Sequence, residues 1–252
     1  MRLAAALVIV SFVATAHADP RAKRTRHLVG IGAATFAFGA SVVFAGDLAP
    51  ARCRWCVVPD FDEDARDYLR WSHPSRAGVA SNITGYALAP ATALGLTLLE
   101  AHGDWGRALD DEIPIVEAVV YSEVLTQGVK LVVARARPYA AFGTPLAGDS
   151  EQNLSFYSGH TCLGFALAVS AGEVAHRRHS ELEPVIWGAG LALAATTGYL
   201  RIAADQHSLT DVLVGAGVGA LAGHFVPRLL DSLPPGLTIA PTENGAAIAG
   251  RW

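Results

Sequence analysis

The 252-residue sequence predicts an all-α protein, a bundle of six long helices lodged in a bilayer. Three observations lead there. Apolar residues make up 52% of the chain against 17% charged, and mean hydropathy is +0.33, so a membrane can solvate much of it. Apolar stretches recur at about 28–46, 79–99, 113–134, 161–175, 185–200 and 208–226. Their lengths bracket the roughly 17–25 residues that cross a bilayer, and they are rich in Ala and Gly, as closely packed membrane helices are. The length allows one domain with a large core, and a net charge of −4 argues against nucleic acid as a partner. A soluble buried bundle is the competing architecture. Glu117, Glu123 and Glu173, inside apolar runs, fit it unless they face the bundle interior.

Taken in order, residues 1–18 are signal-like: one arginine, an apolar run and an Ala16-His17-Ala18 ending. Arg21, Lys23, Arg24 and Arg26 follow, and by the positive-inside rule they hold the start of the first apolar stretch in the cytosol. Left uncleaved, the segment keeps this basic tract inside and places the acidic loop 47–75 outside; cleavage fits a secreted or peripheral bundle instead. Residues 19–75 comprise the first helix and that loop, where Cys53 and Cys56 have C-x2-C spacing. The pair reads as a disulfide, half a metal site or two idle thiols. No second cysteine pair completes a zinc site, and Cys162 reads as a small core residue.

The remaining elements each end or begin at a cluster of polar residues. The run 113–134 leads into Lys130 and Arg137-Pro138, a K-x6-R-P spacing. Pro138 ends the helix, and seven residues is nearly two turns, so Lys130 and Arg137 are expected on one face. A point charge beside a planar fork suits a tetrahedral oxyanion. Arg135 breaks this spacing and is expected to face lipid headgroups. The fourth apolar run is preceded by Ser158-Gly159-His160, where backbone N–H groups and a hydroxyl favour an anion. An N-capping serine beside a chance histidine is the plainer reading of that cluster alone. Arg201, His207 and Asp211 follow as R-x5-H-x3-D. If Ser208 onward is helical, Asp211 lies one turn from His207 and orients its imidazole. The ends of the third and fifth apolar stretches and the starts of the fourth and sixth share one side of the membrane, so the clusters meet there. After Pro234-Pro235-Gly236, Asn244-Gly245 between short apolar runs signals a β-hairpin, with a disordered tail the alternative.

Across about residues 76–230 these clusters resemble the type 2 phosphatidic acid phosphatase (PAP2) and vanadium haloperoxidase superfamily, whose pattern is K-x6-R-P, P-S-G-H and S-R-x5-H-x3-D. The resemblance implies a six-helix PAP2-type bundle over 76–230, with 231–252 a separate tail. It implies that Lys130, Arg137 and Arg201 hold phosphoryl oxygens, that Ser158 and the Gly159 backbone add donors, and that His207 attacks phosphorus with Asp211 orienting it. His160 would protonate the leaving oxygen. The implied reaction is hydrolysis of a lipid phosphomonoester or diphosphate through a phosphohistidine, with no metal or cofactor. The alternatives are a secreted acid phosphatase or a vanadate haloperoxidase of the same superfamily. Tyr157 stands where the pattern has proline and Leu200 where it has serine. The expected partners are a lipid phosphate and the membrane, with no protein partner required. The expected location is a bacterial inner membrane with the site facing the periplasm, or else the periplasm or medium. Headgroup choice is assigned to loop 139–157 and the groove between helices.

Overall fold

The computed structural model describes residues 20–143, 149–232, 238–242 and 245–249. The signal-like segment 1–18 and the Asn244 turn position lie outside them. The described chain is overwhelmingly helical. In order come α1 (Pro20–Val43), α2 (Ala45–Leu48), α3 (Asp60–Leu69) and α4 (Pro74–Ile83). A π-helical turn (Thr84–Leu88) leads into α5 (Ala89–Glu100), followed by α6 (Trp105–Val133), α7 (Pro138–Phe142), α8 (Gly159–Arg178), α9 (Glu183–Ala203) and α10 (Leu209–Ser232). Two short strands, β1 (Thr238–Thr242) and β2 (Gly245–Ala249), pair antiparallel after α10.

The expectation of six helices needs correction. The second apolar stretch is assembled from α4, the π-helical turn and α5, while α2 ends inside loop 47–75 and α3 lies within it. The short, acidic α3, DFDEDARDYL, carries too little apolar surface to register as a hydrophobic run. Among the described residues, three helices are long and apolar enough to cross a membrane: Lys23–Val43, Glu183–Ala203 and Leu209–Ser232. In α6, which is longer than any of these, Asp110, Asp111 and Glu112 in its second turn, with Glu117 and Glu123 beyond them, reduce its apolar character. Both glutamates are buried, so they face the bundle interior; Glu117 lies 2.6 Å from His27 Nδ1 of α1.

The centre of the fold is α8, which packs on α10, α9, α6 and α5. Its helix neighbours come close because small residues line the contacts. In α10, a Cβ on Gly215 would stand 2.6 Å from the Ser158 carbonyl oxygen, and one on Gly219 would run into the Cys162 carbonyl. On the other side, Gly190 abuts Ala168 and Gly164 abuts Ala194. Such backbone-to-backbone approach is how helices associate where apolar burial supplies no difference between lipid and neighbour. It also fixes the first turn of α8 beside the start of α10. Ile115, Leu163, Leu167, Val174 and Ile186 fill the core further from that end.

Candidate active site

At one end of the bundle, the end of α6, the start of α8, the end of α9 and the start of α10 converge. The first cluster is reached in an unexpected way. Helix α6 stops at Val133, and Ala134 takes a left-handed conformation (φ 49°), so Lys130 and Arg137 do not share a helix face. Lys130 sits in the last turn of α6, whereas Arg137 directly precedes α7, with Pro138 at its first turn. The loop turns Arg137 back. Both side chains are buried.

Arg135 also departs from expectation: it does not face headgroups and is 1% exposed. Its Nη1 donates to Asp211 Oδ1 (2.6 Å) and its Nη2 to Asp62 Oδ2 (2.7 Å), while its guanidinium lies 4.1 Å over the Trp55 ring. A cation placed between two carboxylates has no reason to seek a lipid surface. Trp55 belongs to the loop closed by the Cys53–Cys56 disulfide, whose Cα atoms are 5.4 Å apart.

Ser158 precedes α8 and caps it, its hydroxyl accepting from the Thr161 N–H (3.4 Å) and the Thr161 hydroxyl (2.9 Å). Its own N–H donates to the Asp211 carbonyl (3.0 Å), so that donor is already engaged. Gly159 is held close to Glu123 and Lys130: a Cβ there would lie 3.3 Å from Glu123 Oε2 and 3.6 Å from Lys130 Nζ. In the next position, His160 Nε2 donates to Asn82 Oδ1 (2.9 Å), and its ring rests 4.3 Å from that of Tyr86. Asn82 and Tyr86, from α4 and the π-helical turn, gave no sequence signal, because only the packing of α4 on α9 brings them there. Cys162 is a buried free thiol.

The third cluster straddles the α9–α10 connection. Arg201 ends α9, His207 lies in the loop, and Asp211 sits in the first turn of α10. Asp211 Oδ2 accepts from the Ser208 N–H (3.0 Å), so this carboxylate also performs the backward half of a capping box. The same oxygen accepts from the Ser155 hydroxyl (2.5 Å) and stands 3.5 Å from His207 Nδ1. The loop itself is pinned by Asp205, which accepts from Arg66 Nε (2.6 Å) and Arg70 Nε (3.1 Å).

A cavity of about 700 Å³ opens onto this end, lined by Asn82, Tyr86, His160, Arg201, Glu151 and Gln206, among others. Arg137 meets the Gln206 side-chain oxygen (2.5 Å) and the Glu151 carboxylate (2.7 Å). These acceptors occupy the guanidinium where an incoming oxyanion would compete for it. Burial lowers the pKa of His160, and the neighbouring Arg201, His207, Lys130 and Arg137 lower it further. His207 is likewise held well below the ordinary histidine range by burial, then by Arg201, Arg137 and Lys130. Both shifts favour the neutral imidazole. The arrangement can bind an oxyanion and present two neutral nitrogen bases to it.

Residues 112–233 match the family model described as the PAP2 superfamily. This segment belongs to that superfamily. The chain is 39% identical over 102 residues to the lipid A 1-phosphatase of Porphyromonas gingivalis, covering 39% of this chain and 22% of that protein. It is 33% identical over 126 residues to phospholipid phosphatase 2 of Mus musculus, covering 46% of this chain and 42% of that protein. The chain thus spans less than half the length of either relative. No solved structure matches it significantly. Within the PAP2 segment, Leu200 packs against Ala77, Ala203 and Ala204, so the place of the pattern's serine is given to the α4–α9 contact. Tyr157 is buried. Asp62, Asn82 and Tyr86 lie before the matched segment yet reach its polar end.

Proposed function

We propose that the protein is a membrane-bound phosphatase that hydrolyses a lipid phosphomonoester or diphosphate through a phosphohistidine, without a metal. The observation that carries this reading is that Lys130, Arg137, Arg201 and His207, all buried, lie with His160 where the ends of α6 and α9 meet the starts of α8 and α10. The relatives' names favour lipid phosphates over the acid phosphatase and haloperoxidase alternatives, and the three apolar helices provide a membrane setting.

In this mechanism the phosphoryl oxygens displace Glu151 and Gln206 from Arg137 and are held by Lys130, Arg137 and Arg201, with the Ser158 hydroxyl and Gly159 N–H as further donors. Neutral His207 has a lone pair to attack phosphorus. As the N–P bond forms, the bond from phosphorus to the leaving oxygen breaks, and His160 gives that oxygen its proton. A bound dianion offsets the cations that depress the His160 pKa, so His160 takes up a proton from solvent as the substrate binds. Water then attacks the phosphohistidine, releasing its proton to His160 and phosphate to solvent. Fixed cations stabilise the charge that develops at each stage. The Cys53–Cys56 disulfide, in the loop that contacts this end, supports a site facing an oxidising compartment, which for a bacterial inner membrane is the periplasm.

The test is release of inorganic phosphate from a panel of lipid phosphates by purified protein in detergent with EDTA present. Hydrolysis that persists in chelator and is blocked by vanadate is expected. Activity lost in EDTA and restored by magnesium would overturn the assignment of roles.

A further inference from the structure

We propose that Asp62 and Arg135 are positioning residues for His207, acting on it through Asp211; this rests on the phosphatase reading above. A single buried guanidinium spans two buried carboxylates, one from α3 and one from the first turn of α10. Both oxygens of Asp62 are used, since Oδ1 accepts from the Thr210 N–H (2.8 Å) and Oδ2 from the Thr210 hydroxyl (2.6 Å) as well as from Arg135. The cation is fixed from its other side too. Trp55 covers it, and the chain around Trp55 is tied to the Arg135 backbone neighbours by Arg54 N–H to the Ala134 carbonyl (2.9 Å) and Ala136 N–H to the Trp55 carbonyl (3.1 Å).

Buried ion pairs add little net stability compared with apolar packing, because each charge must first be desolvated. What this line of charges supplies is a fixed carboxylate. Asp211 Oδ1 is held by Arg135, and Oδ2 by the Ser155 hydroxyl and the Ser208 N–H. Asp211 therefore cannot swing toward His207, which it meets only at 3.5 Å. Arg135 also shares the charge of Asp211, and Asp62 in turn limits how much of Arg135's charge Asp211 receives. The charged and titratable groups facing His207 are Arg201 from α9, Lys130 and Arg137 from the first cluster, His160 from α8 and Asp211 from α10. Among these the carboxylate is Asp211. The Ser155 backbone also hydrogen-bonds the His207 ring and favours its protonated form, and the effective charge of Asp211 adds to that in setting how readily His207 keeps its lone pair.

The substitutions have opposite signs. Asp62→Asn leaves Arg135 wholly to Asp211, weakening that carboxylate's hold on a His207 proton; Arg135→Gln frees the carboxylate. Full-length protein labelled with ¹⁵N-histidine, in detergent micelles with saturating inorganic phosphate, reports the His207 ring directly, its signal identified by loss in His207→Gln. The titration midpoint is expected to move to lower pH in Asp62→Asn and to higher pH in Arg135→Gln, the latter on the order of one unit. The acid limb of kcat/KM for an aryl phosphate should move with it, and kcat should fall about ten- to a hundredfold. Midpoints that stay put, or that move in the same direction, would mean that the ion pair is merely structural. Should a single variant fail to fold, the double variant Asp62→Asn/Arg135→Gln removes both buried charges; its midpoint should rise, and an unmoved midpoint overturns the proposal. A parent protein that releases no phosphate sinks the functional reading, whereas an active parent with unmoved midpoints sinks this inference alone.

Discussion

His207 and His160 share one group of cations but are held by different partners, and the difference predicts different consequences of removing them. Asp211 stands beside His207, whereas Asn82 and Tyr86 hold His160. A nucleophile is needed for every substrate, but an acid matters most where the leaving oxygen is strongly basic. His207→Ala is expected to abolish the phosphoenzyme and lower turnover by about four orders of magnitude or more on every substrate. His160→Ala should cost about 10²–10⁴-fold on alkyl or lipid phosphates and far less on an activated aryl phosphate. Rapid-quench trapping of radiolabelled enzyme and turnover on both substrate classes check this; equal losses everywhere would contradict the division of labour.

At the scale of elements, the site depends on how closely α10 lies against α8. The glycines of α10 divide into those that touch α8 and those that do not. A side chain at Gly219 would meet the Cys162 carbonyl, while a Cβ at Gly217 meets nothing within 4 Å. Gly219→Leu is expected to destabilise the fold by at least about 1–3 kcal/mol through overpacking. It should also lower activity, because Ser158 and Asp211, joined by a backbone hydrogen bond, are carried on these two helices. Gly217→Ala should instead stabilise α10 by about 0.5–1 kcal/mol, since glycine is a poor helix former. Thermal unfolding in detergent reads both; similar behaviour of the two variants would show that the α8–α10 contact is not the constraint.

At the scale of the whole molecule, the apolar helices and the disulfide bear on which side of the membrane the site faces. If it faces the periplasm, a membrane-impermeant thiol reagent applied to intact cells should label Cys53 and Cys56 only after reduction. Buried Cys162 should stay unlabelled. Labelling that requires breaching the inner membrane would place the site in the cytosol, and recovery of the protein without detergent would favour the secreted alternative.

The helical character of the chain and the meeting of Lys130, His160, Arg201 and His207 at one bundle end were legible in the sequence, because apolar runs fix where helices lie and their alternation fixes which ends adjoin. A local spacing was enough to bring Asp211 beside His207, since the four-residue step across the start of α10 leaves them 3.5 Å apart. The tertiary structure alone decided the rest. Lys130 and Arg137 meet across a left-handed residue that no apolar pattern marks. Arg135 is buried because Asp62, 73 positions earlier, and Trp55 come to it through the folding of loop 47–75 over the end of α6. Asn82 reaches His160 across 78 positions by way of the α4–α9 contact. Hydrophobic periodicity reports which face of a segment is buried; it carries no record of which polar groups will be enclosed together once several such faces have closed.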